Sequence, residues 1–69
     1  MEVFIRHEDV ADGVSLTECA TQADFYELLA DIAEEGVYYE GAIYREVHHQ
    51  YILSAERAYV EIVIAGEGA

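Results

Sequence analysis

Five carboxylates follow one side of the helix that the sequence predicts over residues 21–35. At about 100° per residue they fall on a single arc without a basic residue; they are Asp24, Glu27, Asp31, Glu34 and Glu35. Like charges four residues apart, such as Glu27 and Asp31, destabilise a helix by about 0.2–0.5 kcal/mol per pair. The helix dipole also disfavours acids at the C-terminal end by about 0.3–1 kcal/mol. A row of charges that opposes helix stability is typical of a surface selected for binding.

Tyrosines that alternate with acids form a second candidate binding element. The chain has six tyrosines, and three predicted strand faces pair one with a carboxylate: Tyr38 with Glu40, Tyr44 with Glu46, and Tyr59 with Glu61. A tyrosine ring adds contact area at low entropic cost, and its hydroxyl stays hydrated, which suits a protein-binding surface. We therefore expect the first two pairs to contribute to binding. The alternative is that these tyrosines form a sheet rim or part of the core.

The sequence lacks the residue spacing that a metal site or a catalytic site requires. His48 and His49 would point to opposite faces of a strand, so they cannot share one ion unless a turn intervenes. No H-x-x-x-H, C-x-x-C or EF-hand pattern occurs. The single cysteine, Cys19, has no histidine near it in sequence, and we expect it to be a small buried residue before the helix. The sequence therefore predicts no metal, no cofactor and no enzymatic activity.

The overall charge excludes several classes of protein. The 69 residues include 15 acids, three arginines and no lysine, which gives a net charge of −12. A chain this acidic will not bind nucleic acid or anionic lipid directly, because both require clustered positive charge. With 54% hydrophobic residues it is not a disordered acidic tail. It has no apolar run long enough for a membrane span and no signal-type segment, so we predict a folded cytoplasmic domain.

The helix that positions the carboxylates has clear boundaries. Thr21 is a good N-cap, and Asp24 three positions later resembles the acid of a capping box. An apolar stripe follows at helical spacing, formed by Phe25, Leu28, Leu29 and Ile32. Gly36 fits the position that ends a helix.

The remaining chain predicts strands around this single helix. Four segments are rich in β-branched and aromatic residues and are predicted to be strands: 2–7, 37–47, 50–54 and 58–65. Residues 8–18 are predicted to form a loop. The predicted order is β-α-β-β-β: an α+β fold in which one helix packs on an antiparallel sheet. An alternative is a second helix over residues 42–54. We expect one domain over residues 1–69 with a mobile tail at 66–69.

In its size, acidity and acidic spacing, the chain resembles small phage- or plasmid-encoded DNA-mimic inhibitors of the anti-CRISPR or anti-restriction type. Carboxylates one helical turn apart have Cβ atoms about 5–6 Å apart, similar to the spacing of successive phosphates. The resemblance implies a non-enzymatic protein that occupies the basic groove of a nucleic-acid-binding protein or nuclease complex. Acids elsewhere, including Glu8, Asp9, Asp12, Glu18, Glu56 and Glu61, would widen the contact.

Two other interpretations of the charge stay open at this point. The acidity is also typical of a halophile-adapted regulatory or subunit domain, in which the helix acids are an ordinary solvated face. Alternatively, the tyrosine-rich sheet forms a homodimer, since a core of this size rarely supplies more than about 3–5 kcal/mol of stability on its own.

Overall fold

The computed structural model describes residues 1–69 as one helix and six strands. In chain order these are β1 (Glu2–His7), β2 (Val14–Glu18), α1 (Gln22–Glu35), β3 (Val37–Tyr39), β4 (Ala42–Tyr44), β5 (Val47–Leu53) and β6 (Ala58–Ile64). The predicted α+β fold with a single helix is confirmed. The strand order differs from β-α-β-β-β at two places, because β2 is additional and because β3 and β4 replace one predicted strand.

Four strands form the main sheet, in the order β2-β1-β6-β5, while β3 and β4 pair separately as a hairpin. The two central strands, β1 and β6, run parallel, with Val3 beside Val60 and Ile5 beside Ile62. The two outer pairs are antiparallel. The sheet is therefore mixed, whereas the sequence predicts an antiparallel one. Parallel neighbours are joined by a long crossover, and the alternation within a strand does not indicate which distant strand lies beside it.

The segment 8–18, predicted as a loop, contains β2. This strand lies at the edge of the main sheet, and its pairing with β1 is irregular between Val3 and Phe4. Four of its five residues are exposed, and only Leu16 packs against the core. Val14 and Leu16 alternate with Ser15 and Thr17, but two apolar positions in five residues are too short a pattern to distinguish a strand from a loop.

A tight turn divides the predicted strand 37–47 into β3 and β4. Both turn residues have a positive φ, 47° at Glu40 and 87° at Gly41, which is typical of a two-residue hairpin turn. The strand interpretation is right in preference to a helix over 42–54, since β4 and β5 occupy most of that range. β5 also continues through His48 and His49, where the sequence predicts a break.

The predicted ends of α1 are confirmed. Thr21 Oγ1 accepts a hydrogen bond from the Asp24 amide at 3.2 Å, and the Asp24 carboxylate accepts one from the Thr21 amide at 3.3 Å, which completes the capping box. Gly36 follows the helix with a φ of 84°. A side chain at this position would also be crowded, because a Cβ would lie 2.6 Å from Ile43 Cγ2.

The core lies between α1 and one face of the main sheet, which we call the inner face. Phe25 and Ile32 of the predicted stripe are buried, and Leu28 and Leu29 pack beside them. They meet apolar residues of the two central strands, Val3, Ile5, Val60, Ile62 and Ile64. Cys19 is buried in the same cluster, as the sequence predicts.

The segment predicted as a mobile tail, residues 66–69, has specific contacts with the rest of the chain. Ile43 and Ala69 exchange two backbone hydrogen bonds, at 3.0 and 2.9 Å, which adds the end of the chain to β4. The carbonyl oxygen of Gly66 lies 2.8 Å from His7 Nε2. These contacts place the segment against β1 and β4.

Candidate protein-binding surface

The row of carboxylates on α1 lies on the surface of the molecule. We call this row, Asp24, Glu27, Asp31, Glu34 and Glu35, the acidic flank. All five residues are exposed, and none has an arginine or histidine nitrogen within 4.0 Å. Asp24 alone has an intramolecular role, in the capping box. Four charges of the flank are therefore free of both hydrogen-bonding and ionic partners within the chain.

Two of the three arginines lie on the opposite side of the sheet, which we call the outer face. Arg6 Nε lies 2.9 Å from Glu61 Oε1. Arg57 lies 3.6 Å from Glu2 and stacks over the Phe4 ring at 5.0 Å. The outer face therefore has its own charge compensation, while the acidic flank has none.

The third arginine, Arg45, is the one cation near the end of the acidic flank. It follows β4, and its Cγ would lie 3.2 Å from a Cβ at Gly36, directly after α1. Its guanidinium forms no ion pair. A single unpaired arginine leaves this end of the molecule strongly negative.

The strand residues predicted to extend the surface divide into two groups. Tyr38 is 69% exposed, and Glu40 and Glu46 are also exposed. Tyr44 is half-buried, with its ring 5.7 Å from that of His7 and 6.1 Å from that of Tyr39. Tyr44 therefore supports the hairpin and offers little surface to a partner.

The predicted sharing of strand faces by tyrosines and acids is wrong for Tyr38 and Glu40. Glu40 is a turn residue with positive φ, outside β3, so the alternation of a strand does not apply to it. Glu46 likewise lies between β4 and β5 rather than in the same strand as Tyr44. The tight turn at Glu40-Gly41 is the cause of the first difference, and the end of β4 at Tyr44 is the cause of the second.

Glu61, expected to widen the acidic contact, is buried instead. It is 8% exposed, and its Oε1 accepts hydrogen bonds from Arg6 Nε and from Gln50 Nε2, both at 2.9 Å. Glu61 shares the outer face with Tyr59, as the alternation of the strand predicts, but its carboxylate is already paired with Arg6 inside the fold. The sequence does contain a signal for this ion pair, because an arginine and a glutamate each occur within a strand that is otherwise largely apolar.

Substitution of Asp31 tests whether the acidic flank reduces stability. Asp31 is exposed, and Glu27 and Glu35 lie one turn before and one turn after it. Asp31→Lys replaces two repulsive pairs by two attractive ones, so we expect it to raise the free energy of unfolding by about 1 kcal/mol. Asp31→Asn removes only the repulsion and should give about half of that gain. Urea denaturation measures both; destabilisation by Asp31→Lys would show that the flank supports the fold.

The other chemically versatile side chains are dispersed. His49 packs edge-on against Phe25 with 5.3 Å between ring centroids, while His48 points to the outer face. No group of three or more His, Cys, Asp or Glu side chains is placed to hold a metal ion. The Cys19 carbonyl accepts a hydrogen bond from the N-terminal amine at 2.7 Å.

Two open hollows interrupt the surface, and neither concentrates reactive groups. One, of about 290 Å³, lies between Arg45 and the C-terminal residues, and the other, of about 270 Å³, is lined only by apolar and aromatic residues.

No helix is long and apolar enough to cross a membrane. Comparison of the chain with protein-family models, with curated proteins and with solved structures finds no match.

Proposed function

We propose that this protein is a non-enzymatic, cytoplasmic binding module that imitates DNA and occupies the basic groove of a nucleic-acid-binding protein. A nuclease complex of the CRISPR or restriction type is the partner class that this chemistry suits. The observation that carries the proposal is the acidic flank: five exposed carboxylates on one helix, none of them paired with a cation.

The spacing of the flank supports this function. Residues three and four apart on a helix have Cβ atoms about 5–6 Å apart. Glu27, Asp31 and Glu35 follow this spacing, and Asp24 and Glu34 lie beside them. Lysine and arginine side chains that are spaced to contact successive phosphates can therefore contact successive carboxylates of α1. The flank binds through charge and requires no pocket.

Residues next to the end of α1 extend the proposed contact. Tyr38 and Glu40 are exposed in the hairpin that follows the helix, and Glu46 is exposed after it. An exposed tyrosine beside carboxylates adds apolar contact area to a surface otherwise dominated by charge. Tyr44 supports this part of the surface through its packing against His7 and Tyr39.

Competition with DNA tests the proposal. The protein is immobilised, a nuclease-treated lysate is applied at low salt, and proteins that elute with rising salt are identified by mass spectrometry. Each is then bound to labelled double-stranded DNA and titrated with the protein. We expect displacement of the DNA that weakens as salt shortens the screening length from about 10 Å at 0.1 M to about 3 Å at 1 M. A partner that binds the protein and DNA together would contradict the proposal.

The salt dependence of folding separates this function from salt adaptation as the origin of the charge. We expect the protein to be folded in dilute buffer, since the arginines that pair with acids lie where the acids are most buried. Molar KCl should raise the melting temperature only moderately, by screening the repulsion that a net charge of −12 produces. Circular dichroism melts at both salt concentrations measure this; a chain that folds only in molar salt would favour halophilic adaptation.

A further inference from the structure

β5 lies at an edge of the main sheet and has a row of free backbone groups. Ser54 N donates to Arg57 O at 2.9 Å, and Ala65 N donates to Glu46 O at 2.9 Å, so the even-numbered residues of this strand bond to β6. In an antiparallel pair the intervening residues point away from the neighbour. The amides and carbonyls of residues 47, 49, 51 and 53 are therefore available to another strand.

The two edges of the sheet differ in their protection against pairing. β2 is short, has an irregular register and ends in Glu18, all features that discourage edge-to-edge association. β5 has seven residues with regular register and contains no aspartate, glutamate, lysine, arginine or proline. Residues 47–55 are the longest segment of the chain without a carboxylate.

The side of α1 nearest to β5 is also uncharged. Gln22 Nε2 lies 3.4 Å from the Tyr51 hydroxyl, which places this side of the helix over β5. At about 100° per residue, the same side carries Tyr26, Ala30 and Ala33, all exposed, while the acidic flank lies beyond the buried stripe on the other side. The neutral surface of β5 thus continues onto the helix.

Apolar side chains are exposed along this neutral surface. Leu53 is 82% exposed and Tyr51 is 51% exposed. Both line the apolar hollow of about 270 Å³, together with Met1, Ala58 and Tyr59. An exposed apolar edge next to free backbone groups is a typical site of strand addition.

We propose that β5 pairs antiparallel with β5 of a second copy of this chain, about a two-fold axis at Gln50. This register places His49 opposite Tyr51 of the second copy and Val47 opposite its Leu53. All four outward-facing residues of each strand then form hydrogen bonds, about eight in total. The two sheets become one continuous sheet with both helices on the same side.

A second copy fits this edge better than a charged partner does. Two chains of net charge −12 repel each other, so they associate best where neither presents a carboxylate, and β5 with the neutral side of α1 is that surface. The two-fold axis brings the neutral sides of the two helices towards each other and leaves both acidic flanks turned outward. The proposal does not depend on the DNA-mimic function.

Sedimentation equilibrium and hydrogen exchange of the full chain test the proposal. From about 1 μM to about 1 mM protein, the mass should rise from 7.7 kDa to twice that value. Leu53→Glu places a carboxylate opposite the apolar Val47 of the second copy and should weaken the dimer at least about 10-fold, because the charge is desolvated there without a partner. Val14→Glu, at the edge strand β2, makes the same change at an exposed site and should leave it intact. Circular dichroism confirms that both variants fold.

The backbone pairing has its own signature. In the concentrated protein the amides of His49, Tyr51 and Leu53 should be protected from exchange, and Leu53→Glu should remove this protection. The Gln50 amide, which faces β6, should stay protected in both and serves as the internal control. Added salt should strengthen the dimer by screening, opposite to its effect on the complex with a basic partner.

Three results would overturn the proposal. A single 7.7 kDa species at about 1 mM would exclude the dimer. A dimer that Val14→Glu dissociates and Leu53→Glu does not would assign the interface to β2. Free exchange of the three odd-numbered amides in the dimer would exclude pairing through β5.

Discussion

Reversal of three charges of the acidic flank, Glu27→Lys/Asp31→Lys/Glu35→Lys, is expected to weaken binding to the basic partner at least about 100-fold, equivalent to about 2.7 kcal/mol. These residues follow one another at every turn of α1, are exposed and have no cation beside them. In the complex each would face a lysine or arginine, and like charges placed opposite each other cost several kcal/mol. The dissociation constant measured at low and high salt gives the effect.

A second triple variant controls for net charge. Glu18→Lys/Glu56→Lys/Glu67→Lys changes the charge of −12 by the same amount. All three of these residues are exposed, lie outside α1 and make no ion pair. If the acidic flank is the centre of the contact and Glu18 and Glu56 lie only at its margin, this control should lose less than about 10-fold, mainly through the reduced long-range attraction. Equal losses in the two variants would mean that overall charge, and not the acidic flank, determines binding.

The flank variant should remain folded, which makes its binding result interpretable. Its three lysines replace like-charge pairs of acids by like-charge pairs of bases, so the pair repulsion stays about 0.2–0.5 kcal/mol each. The helix dipole disfavours Glu35 at the end of α1, and it favours the lysine that the variant introduces there. We therefore expect a free energy of unfolding within about 1 kcal/mol of the parent protein.

The helix and its exposed acids were predictable because their signals are local. Thr21 and Asp24 form a capping box over four residues, and the stripe from Phe25 to Ile32 spans two turns. The burial of that stripe determines which residues face solvent. The exposure of the acidic flank therefore follows from the sequence alone.

The arrangement of the strands was not predictable because it depends on distant residues. β1 pairs with β6, more than fifty positions later, and nothing within either strand indicates that partner. The hairpin turn at Glu40-Gly41 is not evident in the sequence, because Glu40 adopts a positive φ that is uncommon for this residue. That turn also changed the candidate surface, since it removed Glu40 from the strand of Tyr38.

The burial of Glu61 also depends on residues that are distant from it in the sequence. Strand alternation places it on the outer face, but its environment comes from Arg6 and Gln50 in two neighbouring strands. Gly13 also lies near it: a Cβ there would be 3.4 Å from Glu61 Oε2. A chain with only three arginines thus uses one of them to neutralise its one buried acid.

Arg6→Met is expected to reduce the free energy of unfolding by about 3 kcal/mol. The substitution leaves the Glu61 carboxylate buried with only Gln50 as a polar partner. It also removes the hydrogen bond from Arg6 Nη1 to the Val10 carbonyl at 3.2 Å, which holds the segment after β1. A core of this size rarely supplies more than about 3–5 kcal/mol of stability, so the variant keeps at most about 2 kcal/mol and a measurable fraction of it should be unfolded at room temperature.

Two further variants identify the buried charge as the cause. Arg6→Met/Glu61→Leu removes both charges and should recover most of the loss, because a buried ion pair is often replaced by apolar residues at little cost. Arg57→Met removes an arginine whose side chain is half-exposed beside Glu2, and should cost no more than about 1 kcal/mol. Urea denaturation of the three variants gives the comparison. If Arg6→Met and Arg57→Met were equally destabilising, the burial of Glu61 would not be what requires Arg6.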